Sequence, residues 1–133
     1  MRNLLKSLEA KIVESYEQGV TVEAAERLAA EFLHAQLTVS DELKKRDLDA
    51  RMKKSGVKAI RAALYLETVK TADGKKPTEA AIEATLNSNE LVIGEQRLLD
   101  EAEVDKAELE RYYDVFSNAH IFYRGISKGR FDG

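Results

Sequence analysis

From Leu91 to Ile126 the chain keeps a strict alternation of four and three: Leu91, Glu95, Leu98, Ala102, Asp105, Leu109, Tyr112, Phe116, Ala119, Tyr123 and Ile126, with only Glu95 and Asp105 polar. Side chains recurring at that mean interval lie along one edge of an α-helix, which turns once in about 3.6 residues. A seam this long is what a helical hairpin or coiled coil requires. It predicts an all-α fold, an elongated helical hairpin or bundle with long helices, that self-associates.

The remaining segments agree. Leu5, Leu8, Ile12 and Tyr16 predict an amphipathic helix over residues 3 to 18, ended by Gly19. Thr21 is placed to cap a second helix in which Val22, Ala25, Ala29, Phe32, Gln36, Val39 and Leu43 share one side. That helix meets no strong breaker before Val69 except Gly56, with a softer spot at Thr38, Val39 and Ser40. Thr71-Ala-Asp-Gly-Lys-Lys-Pro77 reads as a loop. Glu79 to Leu86 follows as a short helix, and Asn87 with Glu90 has capping-box spacing for the last one. The organisation expected is one helical domain over residues 1–133: an N-terminal arm (1–69), a loop (70–77), a C-terminal arm (78–126) and a flexible tail (127–133).

Composition narrows the class. A chain of 133 residues suits one domain with a modest core. It has no cysteine, hence no disulfide framework or thiolate chemistry, and no apolar run of membrane-spanning length. The N-terminus lacks the apolar stretch of a signal peptide. A cytoplasmic protein is expected, in the host cell if viral.

Charge is sorted along the chain. Residues 44–76 carry 11 Lys/Arg against 4 Asp/Glu, whereas the segments before and after have net charges of −4 and −6. Counterion release on contact with a polyphosphate is local, so a segment this basic suits nucleic acid although the whole chain is mildly acidic. On a helix, Lys44, Arg51, Lys54, Lys58 and Arg61 fall within a sector of about 100°. Tyr65 joins them, a ring able to stack on an unpaired base while cations hold the phosphates. Leu48, Met52, Ala59, Ala63 and Leu66 form the face expected to pack, with Gly56 beside it for close helix approach. Asp47 and Asp49 are the only acids between residues 44 and 61, too few to neutralise the stripe by i,i+4 pairing. A solvated surface helix is the plain alternative.

Other chemistry is poorly supplied. His34 and His120 have no partners at ligand spacing and read as partly buried structural residues, so no metal is expected. Glu101, Glu103, Asp105, Glu108 and Glu110 point in several directions around one helix and have no companion base. With no Gly-rich phosphate loop and no nucleophile beside a base, the chain reads as a non-enzyme without cofactors. Six of nine aromatics fall in the last 22 residues. Tyr112, Phe116 and Tyr123 lie on the seam. Tyr113 and Phe122 lie off it and ask for cover from the rest of the fold or from another subunit. With Leu98 and Leu109, these are the residues expected at an oligomer contact. Phe131 sits in the tail.

From about residue 44 onward the layout resembles the recombination mediator proteins of T4-like bacteriophages, small helical proteins with a Lys/Arg helix, a glycine-containing loop, a broken helix and a long final helix. The corresponding parts here are KSGVKAIRAALY (54–65), TADGKKPT (71–78), LNSNELV (86–92) and the helix ending in Tyr123-Arg-Gly-Ile-Ser-Lys-Gly129. That family's basic motif has Lys and Arg two apart and followed by Leu-Asp-Tyr-Tyr, whereas Lys58 and Arg61 are three apart and the aspartate is absent. The resemblance implies a ring-like homo-oligomer that binds single-stranded DNA, helps displace the single-strand-binding protein and loads a RecA-like recombinase in DNA repair, without catalysis of its own. Two other readings stand beside it: a helical assembly or adaptor protein whose basic stripe docks on an acidic protein surface, and an inhibitor that mimics DNA through its acidic C-terminal arm.

Overall fold

Helix boundaries follow local chemistry throughout. The computed structural model describes residues 1–71 and 74–129, the side chain of Thr71 excepted, and among these it forms four helices and no strand. α1 (Arg2–Gln18) stops at Gly19, whose φ of 76° only glycine adopts without strain. Thr21 then caps α2 (Val22–Thr71), its Oγ1 accepting from the Ala24 N–H at 3.1 Å. α2 continues unbroken through Thr38, Val39 and Ser40. The Thr38 hydroxyl bonds back to the His34 carbonyl at 3.0 Å, and Val39 is fully buried. Thr78 caps α3 (Glu79–Ser88) through the Ala81 N–H.

The cap of α4 (Glu90–Ser127) lies two residues beyond the expected one. α3 runs through Asn87, and the break falls at Asn89, whose Oδ1 accepts from the Leu91 N–H at 2.9 Å. Asn87 is taken by another partner, the Arg61 guanidinium. Of the expected loop, residues 72 and 73 lie outside the described residues, as do residues 130–133 of the tail with Phe131.

The chain divides into two compact units, each drawing on both expected arms. The first comprises Met1–Lys44 with Ala107–Gly133 and holds the larger core. Leu5 and Leu8 of α1, Phe32 and Val39 of α2, and Leu109, Tyr112, Phe116 and Tyr123 of α4 are buried together. Phe32 stands between Phe116 and Tyr123, with ring centroids 5.5 and 5.6 Å away, spacings at which aromatic pairs attract beyond simple area burial. The Tyr123 hydroxyl, carried into this core, hydrogen-bonds Ser15 of α1. Ion pairs Arg2–Glu108, Arg111–Glu9 and Lys11–Glu31 fasten α1 from outside.

The second unit comprises Lys45–Lys106. Here α2 buries Ala50 and Val57, with Lys53, Ile60 and Leu64 half-buried on the same side, against Val92, Leu99 and Ala102 of α4 and Ile82 and Leu86 of α3. The face expected to pack is instead outside: Leu48, Met52 and Leu66 are 59%, 65% and 61% exposed, and Ala59 and Ala63 are exposed too. The packed strip reads as polar in sequence because it includes Lys53, which lays its stem along the helix while its ammonium reaches Asp49 at 2.8 Å. A similar shift affects α4. Leu98 is exposed and its neighbour Leu99 takes the core position, so the expected seam holds only from Ala102 onward.

Phe32→Ala would leave a void between two rings and is expected to destabilise the first unit by about 3–5 kcal/mol. Urea unfolding followed by circular dichroism measures it.

Candidate nucleic-acid interface

Regular helix geometry in the second unit puts Arg51, Lys54, Lys58, Arg61 and Tyr65 along one side of α2. Lys44 is exposed but belongs to the first unit. The stripe is only partly free. Arg51, 77% exposed, pairs with Asp47 at 3.0 Å, an i,i+4 contact that the shortage of acids does not prevent. Arg61, 28% exposed, donates to Glu83 Oε2 at 2.7 Å and to Asn87 Oδ1 at 3.1 Å, both on α3. The Tyr65 hydroxyl donates to Glu79 Oε1 at 2.9 Å.

Lys54 and Lys58 differ from these. Both are exposed, and among the described residues no carboxylate lies within ion-pair distance of either. They are one turn apart, with Cβ atoms about 5–6 Å from each other at that spacing. Lys76, which sequence reasoning did not single out, sits 6.0 Å from the Tyr65 ring centroid and 3.5 Å from Glu79 Oε1. Its ammonium is held above the ordinary lysine range first by Tyr65 and then by Glu79. Its position near the end of the basic segment was the only available signal.

Two open grooves flank Arg61. One, of about 380 Å³, is lined by Asn87, Val92, Ile93, Gln96, Arg97 and Asp100 as well as Arg61. The other, of about 450 Å³, lies among Arg61, Ala62, Tyr65, Leu66, Glu83 and Leu86. Cations, amide groups and an aromatic ring, groups that single-stranded nucleic acid calls on, share this stretch of surface with the Asp100 and Glu83 carboxylates.

The remaining expectations are placed as follows. Leu109, Tyr112, Phe116 and Tyr123 fill the core of their own chain, so they present no surface to a second one. Tyr113 is half-buried. Phe122 stacks on Tyr16 of α1 at 6.3 Å, so part of the cover it asks for comes from the same chain. His120 Nδ1 donates to the Ala29 carbonyl at 3.0 Å, whereas His34 is exposed, contrary to expectation. Among the described residues there is no group of three or more potential metal ligands, and no helix is long and apolar enough to cross a membrane. Set against protein-family models, curated proteins and solved structures, the chain matches none.

Asp47 ties the two long helices of this unit. It accepts from Lys106 of α4 at 2.9 Å as well as from Arg51. The hydrogen bond from Lys106 is the largest influence and holds its carboxyl below the ordinary value; desolvation opposes it, and the Arg51 and Lys106 charges add to the lowering. A lowered folded-state value means that the unfolded chain takes up the proton first. The stabilisation is therefore complete above about pH 4 and is lost as pH falls through the folded value. Asp47→Asn is expected to lower the melting temperature above about pH 5, where the carboxylate is charged, and to leave it nearly unchanged near pH 2, so that the acid-induced fall is flattened, as read by thermal circular dichroism across pH 2–7.

Proposed function

We propose that the second unit binds the backbone of single-stranded DNA, with Lys54 and Lys58 as the principal phosphate contacts. Arg51, Arg61 and Tyr65 join once phosphate competes with their carboxylate partners, Tyr65 as a stacking surface. The observation that carries this reading is the pair of exposed lysines on one helix face with, among the described residues, no carboxylate within ion-pair distance. Both charges stay in water, so neither carries a desolvation cost, and each phosphate neutralised releases counterions.

Following the resemblance of residues 44–129 to phage recombination mediators, the role proposed is non-catalytic. The protein, acting as a homo-oligomer, would hold single-stranded DNA, help remove the single-strand-binding protein and load a RecA-like recombinase. Repeating a weak contact around an assembly supplies the avidity that two or three lysines lack. Docking on an acidic protein surface uses the same cations, and it is favoured by the apolar side chains exposed beside them.

A labelled oligonucleotide separates the two. Binding should weaken with salt, and the Lys54→Ala/Lys58→Ala variant should lower the log–log salt slope by about 1.4, two phosphates at about 0.7 each. Its circular dichroism should be unchanged because neither side chain packs. Glu83→Gln should bind more tightly than the parent, since it frees Arg61. No oligonucleotide binding at low salt, with capture of an acidic protein instead, would establish the adaptor reading.

A further inference from the structure

The helix that carries the cations also carries a second strip of four–three spacing: Leu48, Met52, Ser55, Ala59, Ala62 and Leu66. All six are exposed, and the strip points away from the side of α2 that packs on α4. Leu48, Met52 and Leu66 leave more than half of their surface in water, which is unusual for three large apolar residues in register on one helix.

The order of sizes along the strip identifies what covers it. Large side chains stand at both ends and small ones in the middle. Laid antiparallel on itself, the strip pairs every inner position of one type with its complement, as an antiparallel coiled coil demands. Leu48 meets Leu66 of the second copy, Met52 meets Ala62, and Ser55 meets Ala59. The central Ser and Ala let the helices approach to the short end of the usual 8–10 Å range. The groove of about 450 Å³ beside Ala62 and Leu66, bordered by Leu86 of α3, offers room for the incoming Leu48 and Met52. On one flank the register sets Arg51 opposite Tyr65 of the second copy, a cation beside a ring. On the other flank stands the exposed Ala63, a small residue that allows close contact, whereas Gly56 faces Glu95 of α4 in its own chain.

We propose that the protein self-associates through this surface, two copies pairing α2 against α2 in antiparallel register about a two-fold axis. The contact is isologous, each copy giving the same patch. It is a different surface from the C-terminal seam, whose Leu109, Tyr112, Phe116 and Tyr123 are spent inside the chain. The pairing does not depend on nucleic acid. It also brings Lys58 beside its symmetry mate, so the dimer has one like-charge contact that added salt screens.

The experiment uses the full chain. Mass measured by light scattering over a range of concentrations should rise from monomer toward dimer, and raising the salt should strengthen the dimer. Leu48→Asp and Leu66→Asp, both at exposed positions, should keep full helical circular dichroism and raise the dissociation constant roughly tenfold or more. Because the chain has no cysteine, Ser55→Cys and Ala59→Cys variants can be mixed and oxidised, and the mixed disulfide should exceed either symmetric one. A monomeric mass at every concentration would overturn the proposal. So would a predominance of symmetric disulfides, which means parallel pairing, or a dimer that dissociates as salt rises, which means an acidic surface is the partner.

Discussion

Which strip of α2 faces α4 decides almost everything else about this protein. In the first unit that strip carries Phe32 and Val39, and burial of large side chains against Phe116 and Tyr123 makes the contact strongly apolar. In the second it carries Ala50 and Val57 with Lys53 between them, so less apolar surface is removed from water and the Asp47 bridge to Lys106 takes on part of the fastening. Turning the helix to bury Leu48 and Leu66 would gain apolar area there. It would also carry Asp47 away from Lys106 and turn Ala50 and Val57 out of the core of the second unit.

Element boundaries were legible because they rest on single residues with strong local preferences. Gly19 ends α1, Thr21 begins α2 and Thr78 begins α3. The packed register was not, and the reason is specific. α2 bears two four–three strips in its second half, and the more apolar of them is the exposed one. The deciding information lies on α4, where Val92 and Leu99 rather than Leu91 and Leu98 turn inward, and no window confined to α2 contains it. Likewise Asn87 looked like a cap because of Glu90, yet Asn89 performs that task and Asn87 serves Arg61.

For the basic face, position was readable and charge state was not. A helical projection places the cations together, but Glu79 and Glu83 reach Tyr65 and Arg61 from α3, 14 and 22 residues further along the chain. Net local charge overstates what is available to a ligand when carboxylates fold back over it. These exposed pairs are weak in water and readily exchanged, so under the function proposed above α3 would compete with phosphate for Arg61.

Asn89 alone stands between α3 and α4, its carboxamide oxygen accepting from the Leu91 and Val92 amides. A joint one residue long has almost no slack: inserting a residue would swing α3 by about 100° about its axis. Ile82 and Leu86 would then leave the core, and Glu83 would lose Arg61. Length at this joint thus governs both the seating of α3 and the charge presented by α2, which makes it the least tolerant connection in the unit.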